Sequence, residues 1–232
     1  MLYSMCGDAA FVIELGTRAN GLLTRTIAGL HAALMRAGPA GFVESVPGLT
    51  SLTVFFDPDA TSAEELQQAI MRVLDMQHYP MARSREWHIP VCYEGEYAPD
   101  LSDVAAACGM TSAAVIKAHT DRPYVVYLLG FSPGFPYLGD VDPRLELPRR
   151  AEPRLRVPAG SVAIATCYSA IYPQSTAGGW HIIGRTPVVL FDATAKSPAL
   201  LAVGDTVRFY AVNAQRYEQA SAEPSVYHTR GA

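Results

Sequence analysis

The sequence predicts an α+β protein with two domains, a small α/β domain followed by a β-rich one. Strand and helix patterns alternate through the first third of the chain, up to about residue 83. Beyond Tyr124 the pattern changes to short apolar runs separated by Pro and Gly, which is typical of a closed or sandwiched β domain. The chain has 232 residues, of which 50% are hydrophobic and 17% charged, so it can bury a sizeable core.

The first domain, residues 1–83, is predicted from hydrophobic spacing and capping residues. Apolar residues recur at helical spacing from Asn20 to Gly38-Pro39, which ends the helix. Ser62 and Glu65 form a capping box that opens a second helix. The order of elements is β-α-β-β-α-β, the split βαβ or ferredoxin-like arrangement. Its strands are predicted at 11–14, 42–46, 51–56 and 86–92.

The second domain, residues 84–232, is predicted to begin with two short helices and to continue as β structure. Asp100 is placed to cap one helix and Thr111 to cap a second that runs to about His119, which predicts a helical hairpin near 100–119. The strand-like runs that follow cover 124–129, 162–165, 171–172, 180–183, 188–191 and 206–210.

Composition argues against several function classes. The 18 basic and 22 acidic side chains give a formal net charge of −4, which provides no general attraction for nucleic acid or an anionic membrane. The N-terminus has no signal-peptide pattern, and the longest later apolar run, 124–129, is far shorter than a membrane span. The four cysteines are scattered, so neither a disulfide framework nor a metal site is predicted, and a cytoplasmic location is expected.

An aromatic loop occupies Gly130–Gly139. Pro133-Gly134 suits the central positions of a type II turn, because Pro fixes φ and Gly accepts a positive φ. Phe131, Phe135 and Tyr137 would then either cover a pocket or pack beneath the barrel. The sequence leaves both roles open, a rigid hydrophobic loop and the wall of a site.

The segment Gly178–Thr186 is one Lys short of a phosphate-binding P-loop. Its central residues are strand-forming and Pro187 follows where a helix should begin, so a strand that presents Trp180, His181 or Arg185 to a cleft is favoured. Arg185 suits a carboxylate or phosphate clamp, although a surface arginine remains an equal alternative.

Histidine and arginine residues supply further candidates. His119 lies near a helix end, where it interacts with the helix dipole or acts as an acid or base. Cys167 and His181 suggest a nucleophile–base pair, but a lone cysteine in a β-rich core more often serves packing. Five arginines between Arg144 and Arg156 predict a solvated loop or, alternatively, a docking or phosphate-facing strip.

Several ordered motifs carry a family resemblance. They are Ile89-Pro90-Val91-Cys92-Tyr93 with Gly95-Glu96-Tyr97 and Pro99-Asp100-Leu101, then Gly130–Gly139, Arg156–Ser161, and Ile171-Tyr172-Pro173 leading into Gly178–Pro187. Together they resemble the family of the 5-oxoprolinase B subunit, also called allophanate hydrolase subunit 1 or the KipI kinase-inhibitor family. The resemblance covers nearly the whole chain and is strongest from Trp87 to Tyr210.

This resemblance implies a cyclophilin-like β-barrel in the second domain and a role within a complex. The implied partners are the C subunit of 5-oxoprolinase, of the KipA family, and its A subunit, of the LamB/YcsF family. The implied reaction opens 5-oxoproline to L-glutamate with ATP, and the sequence leaves open whether this chain binds ATP. Two alternatives remain: an inhibitor of a sensor histidine kinase, and a subunit that works on an allophanate- or urea-type amide.

The resemblance also suggests which residues line the barrel cleft. His119 and His181 are candidate proton carriers, and Arg185 is the candidate anion clamp. The turn at 165–170 departs from the family, because Cys167 and Tyr168 stand where relatives commonly have a Gly-rich turn that allows close backbone approach. The candidates for substrate binding are Arg185, Ser161, Gln174, Trp180, Phe131 and Phe135.

Overall fold

The computed structural model describes residues 2–75 and 84–222. The chain divides into two compact units, Met1–Ser84 and Arg85–Ala232. The predicted boundary after residue 83 borders the stretch 76–83, which lies outside the described residues. In the part of the chain that is described, no single helix is long and apolar enough to cross a membrane. The short helices 101–107 and 112–120 meet the length and composition criteria only as a pair bent by 93°.

The first unit is an antiparallel sheet with two helices. The sheet order within the described residues is β1-β2-β4-β3, and the elements are β1 Leu2–Met5, β2 Ala10–Glu14, α1 Gly21–Ala37, β3 Phe42–Pro47, β4 Ser51–Phe56 and α2 Ala63–Asp75. The predicted arrangement required strand 86–92 as its last strand, but that strand pairs within the second unit. The N-terminal β1 takes the edge position beside β2, so the ferredoxin-like topology is not confirmed in the form predicted.

Capping residues fix the ends of the helices in the first unit. Asn20 Oδ1 accepts two backbone hydrogen bonds at 3.0 Å from the first turn of α1, and Gly38 at φ +50° ends it. The capping box of α2 is confirmed, since Ser62 N–H donates to Glu65 Oε2 at 3.0 Å and Glu65 N–H donates to Ser62 Oγ at 3.2 Å. The buried core between helices and sheet includes Phe11, Ile13, Leu30, Leu34, Leu52 and Val54.

The second unit is a closed barrel of seven strands among the described residues. Its elements are β5 Glu86–Cys92, α3 Leu101–Ala107, α4 Ser112–Thr120, β6 Pro123–Leu129, β7 Pro136–Gly139, β8 Arg154–Val157, β9 Ser161–Ala165, β10 Tyr168–Ile171, β11 Thr176–Gly178, β12 His181–Arg185, β13 Thr206–Val212 and α5 Ala214–Ala222. The barrel order is β10-β7-β6-β13-β5-β12-β9, in which β5 and β13 are parallel and the other pairs antiparallel. Strands β8 and β11 form a separate two-stranded sheet.

Strand alternation gives the barrel two apolar layers. On β9, Val162 and Ile164 belong to the main core, whereas Ala163 and Ala165 belong to a second, aromatic cluster. This follows from the two-residue period of a strand, which sends successive side chains to opposite faces. Because Ala163 and Ala165 are small, large rings can pack against that face of β9.

Some predicted elements differ from the structure. The predicted strand 188–191 contributes only an isolated bridge between Phe191 and Ala199. Strands β7, β8 and β11 were not predicted, because three or four residues rich in Pro, Gly or Arg carry too little of the two-residue pattern. Their pairing comes from tertiary contacts.

Candidate functional site

An aromatic pocket of 260 Å³ lies beside the barrel. Its walls come from the loop after β6, from β7, from the loops before β8 and after β10, and from the β11–β12 connection. We call it the aromatic pocket and define it by Phe131, Phe135, Tyr137, Arg149, Tyr172 and Trp180, with Pro153 and 177–179 completing the lining.

Phe135 stands at the centre of the pocket wall and is 2% exposed. Its ring makes edge contacts with four others, at centroid distances of 5.1 Å to Tyr172, 5.2 Å to Tyr137, 5.3 Å to Phe131 and 5.9 Å to Trp180. Each such pair contributes roughly 0.5–1.5 kcal/mol beyond area burial. The rings therefore hold one another in place and form a preorganised wall.

The aromatic loop turns as its sequence predicts. Phe135 N–H donates to Ser132 O at 3.0 Å, and Gly134 has φ +76°, which is the positive φ that a type II turn needs at its third position. Phe131 also has φ +72°, although it carries a side chain, and is 65% exposed. A bulky residue in this conformation is uncommon and strained, so the fold holds an exposed ring over the pocket at a cost.

Gly178 is required at the base of the pocket. A Cβ at this position would lie 2.3 Å from the Tyr172 hydroxyl oxygen, a distance that no real contact tolerates. Tyr172 itself is 1% exposed, and burial raises the pKa of its hydroxyl. The close approach of Gly178 therefore lets this hydroxyl reach the pocket floor.

A buried ion-pair network fixes the loop that carries Arg149. Asp100, 1% exposed, accepts hydrogen bonds from Arg154 at 2.6 and 2.8 Å and from Arg150 at 2.9 Å. It also accepts the N–H of Ile182 at 2.7 Å. Asp100 is the N-cap residue of α3 as predicted, but its side chain makes no capping hydrogen bond, because both carboxylate oxygens are used by these donors. Charge-assisted contacts of this kind are strong and directional.

Arg149 is the member of the arginine strip that faces the pocket. Its neighbours are occupied: Arg150 and Arg154 bind Asp100, and Arg144 binds Asp142 at 2.8 Å. Arg149 is exposed and makes no ion pair or hydrogen bond with any other described residue. The strip is thus neither a uniformly solvated loop nor a uniform phosphate-facing surface, and one free cation stands at the pocket rim in the described structure.

His119 lies in the barrel core, away from the aromatic pocket. It is fully buried and hydrogen-bonded to the hydroxyls of Tyr93 at 2.8 Å and Ser169 at 2.9 Å. It stacks on Phe209 at 4.6 Å. Burial lowers the pKa of the imidazole to about 3. In this position it is a neutral structural group with no route to solvent.

His181 is half-buried on β12 and outside the pocket lining. Its Nε2 lies 2.9 Å from Pro148 O, and because a carbonyl only accepts, Nε2 carries the proton. Its Nδ1 is buried without a partner among the described residues. Cys167 does not pair with His181; its thiol contacts Tyr168 instead.

Arg185 and Ser161 form a second polar group. They stand opposite each other on β12 and β9, so their side chains share one face of the barrel. Ser161 Oγ and Arg185 Nε are both buried without a hydrogen-bond partner in the described structure. The Arg185 guanidinium carbon lies 5.6 Å from the centre of the Tyr97 ring, a cation–π distance.

The turn at 165–170 also contributes aromatic surface. Thr166 takes φ +53°, and the Tyr168 ring packs edge-on against Tyr137 at 6.2 Å and Tyr127 at 6.4 Å. The turn thus supports the pocket ring Tyr137 from behind.

Sequence reasoning predicted four of the six residues that define the pocket. Phe131, Phe135, Tyr137 and Trp180 were predicted and line it, whereas Gln174 is exposed outside the lining. Arg149 and Tyr172 were not predicted as site residues. Each lay in a segment singled out for another reason, the arginine strip and the motif 171–173. The predicted strand across Gly178–Thr186 is confirmed as β12, which excludes a P-loop there.

The sequence and fold belong to a defined class of domains. A family model described as carboxyltransferase domain, subdomain C and D, matches residues 1–201, so the chain belongs to this family. It is 38% identical over 225 residues to the 5-oxoprolinase B subunit of Bacillus subtilis (strain 168), covering 91% of this chain and 92% of that protein. It is 40% identical over 205 residues to the 5-oxoprolinase B subunit of Escherichia coli O157:H7, covering 88% and 93%. The resemblance to the family of the 5-oxoprolinase B subunit is thereby confirmed.

Solved structures agree with this fold. The crystal structure of TTHA0988 matches with 38% identity and a TM-score of 0.76, covering 88% of this chain and 40% of that chain. This chain therefore spans less than half of TTHA0988. PH0987 from Pyrococcus horikoshii matches with 36% identity and a TM-score of 0.56, covering 93% and 100%. The K. lactis urea amidolyase shares the fold at 19% identity and a TM-score of 0.76, covering 98% of this chain and 16% of that chain.

Proposed function

We propose that this chain is the B subunit of an ATP-dependent 5-oxoprolinase complex that opens 5-oxoproline to L-glutamate and that the chain alone is inactive. The observation that carries the proposal is its similarity, along nearly the full length, to proteins named as the B subunit of 5-oxoprolinase. A third such protein, from Haemophilus influenzae, is 45% identical over 173 residues. Such a name points to a complex, and we propose that the C subunit, of the KipA family, and the A subunit, of the LamB/YcsF family, complete it.

The reaction needs activation of a poor electrophile. Phosphorylating the lactam carbonyl oxygen would give an imidate that water can attack, with the developing charge held by arginine or backbone donors. Gly178–Thr186 contains a strand where a P-loop would be needed, so we place no ATP site in that segment. We assign substrate positioning to this chain.

Arg185, which does not line the aromatic pocket, is proposed as a clamp for the negative charge that develops on the activated carbonyl oxygen, and not for the substrate carboxylate. Its support is that Arg185 Nε and the hydroxyl of the opposite residue, Ser161, are two buried donors without a partner on one face of the described barrel. Unpaired buried donors are costly unless a ligand or water satisfies them. His181 remains the proposed proton carrier, since its ring is half-buried and its Nδ1 has no partner among the described residues, whereas His119 is fully buried with both ring nitrogens hydrogen-bonded.

Arg185→Ala in the assembled complex should lower kcat/KM for 5-oxoproline on the order of tenfold or more, since a charged hydrogen bond contributes about 1.5–3 kcal/mol. Arg185→Lys should recover part of this loss. Arg208→Ala, at a half-buried arginine paired with Glu86, is the matched control. Unchanged kinetics in Arg185→Ala would refute the clamp.

The two alternative functions have weaker support. A putative urea carboxylase of Emericella nidulans is 25% identical over 260 residues, and this chain covers 21% of that protein, so an allophanate- or urea-type substrate is second choice. Inhibition of a sensor histidine kinase rests on the family's alternative name alone. The free state of Cys6, Cys92, Cys108 and Cys167 is compatible with the proposed cytoplasmic location.

The test of the proposed function is co-expression of this chain with homologues of the A and C subunits. Purified complex should convert 5-oxoproline to glutamate with matching ATP hydrolysis, and complex prepared without this chain should do neither. A fully assembled complex that hydrolyses urea or allophanate but not 5-oxoproline would replace the proposal with the amide alternative.

A further inference from the structure

We propose that the aromatic pocket binds a small, flat cyclic amide that carries a carboxylate, with Arg149 holding the carboxylate and Trp180 Nε1–H donating to the ring carbonyl. The inference rests on the proposed function, because it locates the 5-oxoproline site within this chain.

The size of the pocket selects a small ligand. Its volume is 260 Å³, below the roughly 300–1,000 Å³ typical of sites for drug-sized molecules. A five-membered ring with one carboxylate would fit within such a volume.

The walls of the pocket select a flat, partly apolar ring. Phe135, Tyr137, Tyr172 and Trp180 form a mutually packed set at centroid distances of 5.1–5.9 Å. Aromatic faces pack well against the flat face of an amide ring, and the packed set needs little reorganisation on binding. The exposed ring of Phe131, held at φ +72°, lies where it can cover such a ligand.

The charges around the pocket select an anion. Asp100 forms ion pairs with Arg150 and Arg154 but not with Arg149, and none of the described residues that line the pocket carries a carboxylate. A planar guanidinium matches a carboxylate through two parallel hydrogen bonds. Trp180 Nε1–H, which makes no hydrogen bond to another described residue, supplies a neutral donor for a carbonyl oxygen.

The experiment uses the two tryptophans of the chain as reporters. Trp180 lines the pocket, whereas Trp87 Nε1–H is bound to Asp205 at 2.9 Å. In ¹H–¹⁵N spectra of the full chain, 5-oxoproline should shift the Trp180 indole resonance saturably and leave that of Trp87 in place. The ligand 2-pyrrolidinone, which has the ring and carbonyl but no carboxylate, should bind more weakly on the order of ten- to a hundredfold.

Arg149→Ala separates the charge from the pocket shape. It should reduce 5-oxoproline affinity on the order of ten- to a hundredfold and leave 2-pyrrolidinone affinity unchanged. Arg144→Ala, in the same strip but paired with Asp142, should behave as wild type. No Trp180 shift with 5-oxoproline, or equal affinity in Arg149→Ala, overturns the inference.

The assembled complex distinguishes the two proposals. If it opens 5-oxoproline and Arg149→Ala leaves KM unchanged, the proposed function stands and the pocket assignment fails. If 5-oxoproline binds at Trp180 but a complete complex does not open it, the pocket assignment stands and the proposed function fails.

Discussion

The buried imidazole of His119 makes the stability of the barrel depend on pH. In the folded protein its pKa is lowered by burial to about 3, against an ordinary value of 6.5. The unfolded state therefore binds the proton more readily than the folded state. The stabilising contribution is fully present above pH 6.5 and is lost as the pH falls from there toward 3.

The size of this effect follows from the two pKa values. Linkage gives a loss of about 2 kcal/mol in the free energy of unfolding between about pH 7.5 and about pH 5.0 from His119 alone. His119→Gln removes that contribution, so the variant should be less stable at the higher pH but lose about 2 kcal/mol less than wild type on acidification.

Urea denaturation followed by tryptophan fluorescence measures this directly, because Trp87 and Trp180 both lie in the barrel unit. Phe209→Leu is the matched control. It removes the ring that stacks on His119 at 4.6 Å but no titrating group, so this variant should keep most of the wild-type pH dependence of stability. If wild type and His119→Gln lose the same stability between the two pH values, the assigned role of His119 is refuted.

Two further predictions concern the pocket and its support. Asp100→Asn should destabilise the barrel unit by about 3–5 kcal/mol in urea denaturation, since it leaves Arg150 and Arg154 without their buried counter-charge. Asp103→Asn, at an exposed position, is the control. Equal stability of the two variants would contradict the proposed ion-pair network. Gly178→Ala should abolish the Trp180 response to 5-oxoproline, because its Cβ would lie 2.3 Å from the Tyr172 hydroxyl. Gly130→Ala, whose Cβ would lie 3.6 Å from Leu128, should retain the response. Wild-type binding by the Gly178→Ala variant would contradict the close approach of Gly178 to Tyr172. The Arg149→Ala and Arg185→Ala tests described above complete the set.

Local patterns predicted much of the first unit. The capping box at Ser62 and Glu65 and the helix between Asn20 and Gly38 were predicted because their signals lie within a few residues. The strand 86–92 was predicted as a strand, but its partner was assigned wrongly. Which strands pair depends on contacts far apart in sequence, and here β5 pairs with β13, more than a hundred residues further along the chain.

The same difference between local signals and contacts far apart in sequence separates the predicted residues of the candidate site from those that were missed. The turn at Pro133-Gly134 and the rings of Phe131 and Phe135 were predicted from the loop itself. Arg149 could not be singled out among five arginines. What distinguishes it is that its neighbours Arg150 and Arg154 bind Asp100, some 50 residues away along the chain. The predicted role of His119 as a proton carrier fails because the sequence does not show that Phe209 and Tyr124 pack against the buried ring.

The central claim, that this chain is a required component of a 5-oxoprolinase, is tested most directly by adding it back. Purified chain is titrated into a fixed amount of the A and C subunits with ATP and isotopically labelled 5-oxoproline, and labelled glutamate is measured. We expect no labelled glutamate without the chain, and a rate of glutamate release that rises with added chain to a plateau at a fixed stoichiometric ratio. Glutamate release that does not depend on the added chain would contradict it.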